Sequence, residues 1–320
     1  MKRPIPVLIA ITMMAGLVQL HGAQAETIAV FTKNTTNPFS LAIRTGANAA
    51  SKALGIDVVH FVPTTADNPG EQAKLVDDAL AQKPNAIVFD PVDNKLMVPA
   101  VDKINAADIP AVDITDRSAG GKFVSSVLPD DYTLGLATAR YLFKALNGKG
   151  DVVILEGIPT NTTAIERLRG FNDALKEFPG VKLLASKSGN YQRKPSQSLM
   201  EGWIKQFPQI DGVIAANDSM AAAAVETLEA RNRKALVVGI NGSKEAVELI
   251  KSGKMLASGE FNGFVIGCVA TEIAARILRK QPVPQELIIK PTLYDKSNYE
   301  KYEARIEMKQ CPTLEEEARN

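Results

Sequence analysis

A chain of 320 residues with only two histidines and two cysteines is poor in the groups that most often carry catalysis. Its chemistry-bearing residues are carboxylates, amides, arginines and aromatic rings, and they recur just after short apolar runs. TIAVF is followed by TKNTTNPF, AIVF by Asp90, PAVDI by the pair Asp116 and Arg117, GVIAA by Asn217, and LVVGI by Asn241; intervening segments add Arg167 and Tyr191. Each residue alone has a plain structural role, because Asp and Asn at strand ends commonly cap the next helix. Recurrence along both halves of the chain is the functional signal. Carboxylates and amides exchange hydrogen bonds with hydroxyls, an arginine offers a rigid fork of donors, and aromatic faces cover C–H surface. That combination suits a small polyhydroxylated molecule.

Several chemistries are excluded by the same residues. His21 lies near the N-terminus, which leaves His60, inside the run IDVVHF, as the one histidine outside it. A Ser-His-Asp set or a histidine-based zinc site therefore has nothing to build on, and His60 reads as structural. The turn after TIAVF contains no glycine, so a dinucleotide fold is not expected, and EGIPTN and GINGSK lack the G-K-S/T ending of a phosphate loop. No cofactor and no enzymatic activity are expected. With 37 basic residues against 36 acidic ones and a net charge of +1, no nucleic-acid partner is expected either.

Positioning these residues falls to short Val/Ile-rich runs alternating with segments of helical period, the pattern of parallel strands joined by helical crossovers. The runs TIAVF, IDVVHF, AIVF and IPAVDI form one array and DVVIL, VKLLA, GVIAA and LVVGI a second. Phe39, Ala42, Ile43, Gly46, Ala50, Ala53 and Leu54 fall at helical spacing, and Gly55 stops that helix; the same punctuation is expected at Gly148 and Gly180. The first array ends near Val127, where LPDDYTLG starts a helix capped by Asp130 or Asp131 and marks a hinge. MLASGEF reads as a strand, GFVIGCVATEIAARIL as a helix and ELIIKPTLY as another strand, with the charged tail from Lys296 expected to fray and to carry no function. Lys2 and Arg3, an apolar stretch from Val7 to Leu20 and Ala23-Gln24-Ala25 read as a signal peptide, residues 1–25, cleaved at about Ala25. About 14 apolar residues are too few to span a bilayer, so the mature chain is expected free in the periplasm. There Cys268 and Cys311 have one possible pairing; a disulfide and two unrelated thiols both remain open.

The order of landmarks TKNTTNPFS, FDPVDN, IPAVDITDR, TAIERLRGF, AANDSMAAAA and VVGINGS resembles the ribose-binding-protein type of periplasmic sugar-binding protein over nearly all of the mature chain. The resemblance implies an α/β fold of two doubly wound Rossmann-like domains joined by a three-segment hinge, with residues 26–130 plus 262–290 in the N-terminal lobe and 131–261 plus 291–320 in the C-terminal lobe. It implies ligand contacts from Asn37, Phe39, Asp90, Asp116 and Arg117 on the first lobe, from Arg167, Tyr191, Asn217 and Asn241 on the second, and from Phe261 at a crossing. The implied function is capture of a neutral sugar or polyol and its delivery to the membrane permease of an ABC importer, with a chemoreceptor as a further partner. Asn241 stands where that family has Asp, Phe261 where it has Gln and Ser40 where it has a second ring, which argues against ribose itself. The two carboxylates and two arginines of the contact set balance, which favours a neutral ligand. Alternatives are a binding protein for a sugar acid or another small polar solute, a chemoreceptor ligand carrier, and a sugar-responsive repressor core, which would need a basic DNA-binding domain where this chain has its leader.

Overall fold

Runs such as TIAVF and AIVF have no polar face to offer water, so they are stable only where both faces of a sheet are covered by helices. In the structure, a computed structural model describing residues 26–301 and 310–319, they form two such sheets. The first array contains β1 (Thr27–Phe31), α1 (Pro38–Leu54), β2 (Asp57–Phe61), α2 (Pro69–Gln82), β3 (Ala86–Phe89), α3 (Val98–Ala106), β4 (Ala111–Ile114) and β5 (Ser125–Pro129). The second contains α4 (Asp131–Ala145), β6 (Lys149–Glu156), α5 (Thr162–Glu177), β7 (Gly180–Ser188), α6 (Arg193–Gln206), β8 (Gly212–Ala215), α7 (Asp218–Ala230), β9 (Leu236–Ile240), α8 (Lys244–Lys251) and β10 (Ala257–Glu260). The chain then returns through α9 (Gly263–Leu278), β11 (Glu286–Ile289), β12 (Thr292–Asp295) and α10 (Leu314–Arg319).

One sheet runs β11-β5-β4-β3-β1-β2 and the other β12-β10-β9-β8-β6-β7. All pairings are parallel except β10 with β12. The polypeptide passes between the sheets at Asp130, at Phe261-Asn262 and at Lys290-Pro291, so each sheet is completed by late segments. ELIIKPTLY, expected as one strand, is two: Ile289 pairs with Pro129 in the first sheet and Thr292 with Glu260 in the second. Pro291, which cannot donate to a ladder, falls at the break.

Closely approached helices brace each lobe. On α1 and α9, a Cβ at Gly46 would lie 2.0 Å from the Phe264 carbonyl oxygen, and one at Gly267 would lie 2.0 Å from that of Ile43. In the second lobe Gly135 of α4 and Gly170 of α5 allow the same backbone contact. Gly55 ends α1 in the left-handed conformation at φ +67°, and Gly148 follows α4 at φ +72°. Gly180 departs from the expected pattern: α5 ends at Phe178 and Gly180 opens β7.

The tail also departs from its expected place. Cys268 and Cys311 are joined by a disulfide with Cα atoms 5.5 Å apart, Leu314 N–H donates to Glu272, and Arg276 pairs with Glu315. Residues 310–319 therefore lie against α9 of the first lobe, not with the second lobe as residues 291–320 were expected to do. His60 Nε2 lies 2.7 Å from Asn48 Oδ1 on α1, a structural contact. The leader and its cleavage position lie outside the described residues. No helix among the described residues is long and apolar enough to cross a membrane.

Candidate functional site

The carboxyl ends of the parallel strands in both sheets face one cavity, where open α/β sheets place their ligands. Eight of the ten residues anticipated as contacts line it: Asn37, Phe39 and Asp90 from the first lobe, Arg167, Tyr191, Asn217 and Asn241 from the second, and Phe261 at a crossing. Lys33, Asn34, Ser40, Asp67, Thr115 and Thr163 complete the wall. Between these side chains the cavity measures about 40 Å³.

The apolar wall is a pair of rings. Phe39, at the start of α1, and Phe261 lie 4.7 Å apart at an interplanar angle of 57°, with the Arg167 guanidinium 4.9 Å from the Phe261 centroid. Arg167 is almost wholly buried; its Nε donates to Asp131 at 2.8 Å and Nη1 to the Ala216 carbonyl at 2.7 Å. Burial is the largest influence and works against its charge, but Asp131, Tyr191 and Asp116 together outweigh it and the guanidinium pKa is raised. Burial in turn pushes the Asp131 carboxyl up to about 7 against the pull of Arg167. Asp130 takes the capping role at α4, accepting from Thr133 N–H at 3.0 Å, which leaves Asp131 for the arginine.

The first lobe's cation is Lys33. Its ammonium bridges Asp90, at 3.4 Å, and Asp116. Burial opposes the charge, yet the two carboxylates hold its pKa above the ordinary lysine value. Asp90 also accepts from the Thr115 hydroxyl, and burial pushes its carboxyl up to about 7.

Two anticipated contacts are not where sequence put them. Arg117 is half exposed and pairs with Glu286 at the surface, so it does not line the cavity. Asp116 is fully buried but lies behind the wall, engaged by Lys33, by Thr163 through both its backbone N–H and its hydroxyl, each at 2.7 Å, and by Asn161. The expected balance of two against two gives way to an excess of carboxylate: Lys33 and Arg167 face Asp90, Asp116 and Asp131, and among the described residues no cation of this cluster is left over for an anionic guest. Lys33 lies in TKNTTNPF, the loop already singled out, and a lysine two residues past a strand end was a readable signal. Asp67, beyond β2, was readable in the same way. Thr163 gave none.

The amides divide their work. Asn217 caps α7 by accepting from Met220 N–H at 2.9 Å and donates to the Tyr191 carbonyl at 3.0 Å, and Asn37 caps α1 through Phe39 N–H at 2.9 Å. Both residues therefore fill the plain capping role while also lining the cavity. Tyr191 differs: its hydroxyl is shielded from solvent and has no hydrogen-bond partner, and burial raises its pKa. Its ring fits because residue 157 is glycine, since a Cβ there would lie 2.2 Å from Tyr191 Cζ.

Two α/β lobes, three crossings and a polar cavity with aromatic walls between them define the class: a periplasmic binding protein of type I. Residues 28–282 match the family described as periplasmic binding protein domain, and the chain belongs to it. It is 32% identical over 279 residues to the D-apiose import binding protein of Paraburkholderia graminis, covering 86% of this chain and 88% of that one. It is 30% identical over 241 residues to the xylitol-binding protein of Mycolicibacterium smegmatis, covering 74% and 68%. Among solved structures, an ABC transporter periplasmic solute-binding protein from Actinobacillus succinogenes 130z with bound D-allose superposes with a TM-score of 0.81 at 32% identity, over 86% of this chain and 99% of that chain.

Proposed function

We propose that this protein captures a neutral monosaccharide or polyol between its lobes and delivers it, chemically unchanged, to the permease of an ABC importer. The observation that carries this reading is the cavity's composition. Paired rings cover C–H faces, amides and the unpartnered Tyr191 hydroxyl meet ligand hydroxyls, and both buried cations are already engaged by carboxylates. A buried ion without a partner is strongly disfavoured, and among the described residues both cations of the cavity wall, Lys33 and Arg167, are already paired, which disfavours an anionic sugar acid. Relatives named for D-apiose and xylitol and a neighbour holding D-allose are all proteins for uncharged polyhydroxylated molecules.

At about 40 Å³ the cavity admits only a few water-sized groups. A sugar therefore enters with the lobes parted and settles as they close and the side chains adjust. The lobes in this reading are residues 26–130 with 262–290 and 310–319, and residues 131–261 with 291–301. Export with cleavage at about Ala25 completes it, and a mature mass starting at Glu26 is the expected result.

Thermal unfolding against pentoses, hexoses, polyols and sugar acids tests the assignment. A ligand at 100 times its Kd adds about 2.7 kcal/mol to stability, so a true ligand raises the midpoint by several degrees. Tighter binding of a sugar acid than of its neutral parent overturns the charge argument. Consumption of a panel sugar by pure protein overturns the binding-protein reading.

A further inference from the structure

Helix α5 begins without a cap of its own. The side chain of Asn161, its N-cap residue, makes no capping hydrogen bond, and Asn161 Oδ1 is buried with no partner. The acceptor comes instead from the other lobe. Asp116 Oδ1, past β4, receives the Thr163 backbone N–H and the Thr163 hydroxyl, both at 2.7 Å, and Asp116 Oδ2 receives Asn161 Nδ2 at 3.4 Å together with the Lys33 ammonium. A carboxylate has about four acceptor positions, and all are used. None remains for a ligand hydroxyl.

We propose that Asp116 is a positioning residue that latches the two lobes by capping α5 in trans, and that it acts on the ligand only through closure. Such a latch presupposes the two-lobed binding protein proposed above. The contact exists only while the lobes meet, because donors and acceptor belong to different lobes. On opening, α5 loses a capping acceptor and a favourably placed negative charge at its N-terminus, while Asp116 keeps Lys33. Two weaker bonds flank the latch: Asn94 Nδ2 donates to Thr162 Oγ1 at 2.9 Å, and Thr162 Oγ1 donates to the Arg117 carbonyl at 3.3 Å. The first turn of α5 is thus a docking edge for the first lobe, and it leads one turn later to Arg167 in the cavity wall.

The test uses ligand-free protein, so that its failure is separable from failure of the ligand assignment. Spin labels on Lys74→Cys in α2 and Lys205→Cys in α6, both exposed, report the lobe-to-lobe distance by pulsed electron resonance, and amide exchange reports Thr163 N–H. In Asp116→Ala the closed-to-open ratio is expected to fall about tenfold, with Thr163 N–H exchanging faster by a similar factor. Asp116→Asn, whose side-chain oxygen is an equally good cap, is expected to restore most of both. An Ala variant with wild-type distances and exchange overturns the latch. An Asn variant as open as the Ala variant overturns capping as its cause.

Discussion

Under the proposed function the Tyr191 hydroxyl is a ligand contact separable from the scaffold, because it makes no hydrogen bond to the described residues. It is buried with no partner, a state that costs about 1–3 kcal/mol. In Tyr191→Phe that cost disappears, so the ligand-free protein is expected to be as stable as wild type or slightly more so, with a midpoint rise of about 2 °C per kcal/mol recovered in a chain of this size. The bound state moves the other way. A ligand hydroxyl loses a buried partner, worth about 1–2 kcal/mol net, so Kd rises about tenfold. Gly157→Ala reaches the same ring from behind: its Cβ would lie 2.2 Å from Tyr191 Cζ and 2.4 Å from the hydroxyl oxygen. The ring must move by more than 1 Å to regain ordinary contact, and affinity should fall at least as far. Isothermal titration with the best panel ligand, beside melts without ligand, reads both effects. Wild-type affinity in Tyr191→Phe, or a ligand-free midpoint lowered by several degrees, refutes the assignment of that hydroxyl to the ligand.

Three further outcomes follow from the buried charges and the tail. Arg167→Leu strands Asp131 and should cost about 3 kcal/mol or more of unfolding free energy at pH 8, less at pH 5 where the Asp131 carboxyl takes up its proton; urea unfolding within 1 kcal/mol of wild type at pH 8 contradicts the pair. Asp90, raised to about 7 from an ordinary carboxylate value, binds its proton more tightly folded than unfolded, so its contribution is present in acid and fades as pH rises through about 7. Ligand-free stability should fall between pH 5 and 8, less steeply in Asp90→Asn, and equal slopes for the two proteins exclude Asp90 as a source. Reduction, or Cys268→Ser with Cys311→Ser, opens a loop of sequence separation 43, worth about 4 kcal/mol in chain entropy; labelling of both thiols in unfolded, unreduced wild type contradicts the bridge.

Much of the fold was readable because its signals are local. TIAVF, AIVF, GVIAA and LVVGI are too apolar for anything but buried strands, and Gly55 stops α1 in the conformation its lack of a side chain allows. The split of ELIIKPTLY was harder, since strand character says nothing about which sheet a strand joins. The tail's position depends on a disulfide and on contacts with α9 that no spacing records. The site shows the same division. Strand ends identified Asp90, Asn217 and Asn241, but strand-end position does not give direction: Asp116 and Arg117 are neighbours, yet one faces α5 and the other solvent. Lys33 takes the place assigned to Arg117, and only the packed structure shows that the carboxylates of Asp90 and Asp116 converge on it.

What directs the side chains is backbone conformation that the sequence discourages. Thr115, Tyr191 and Asn241 hold φ at +59°, +58° and +130°, values that cost non-glycine residues of order 1–3 kcal/mol each. A β-branched threonine there is especially unfavourable. Each is held by neighbours that would lose their own bonds if it relaxed. Thr115 N–H donates to Val127 O at 3.1 Å while its hydroxyl meets Asp90, the Tyr191 carbonyl is bound by Asn217, and Asn241 N–H donates to Gly259 O at 2.7 Å. All three follow strand or loop ends where a relaxed chain would turn directly into the next helix. The strain instead leaves them lining the cavity, so stability is spent where the two lobes must present polar groups to the same small volume. A relaxed backbone at Asn241 would relieve that strain and, under the proposed function, withdraw an amide from the ligand.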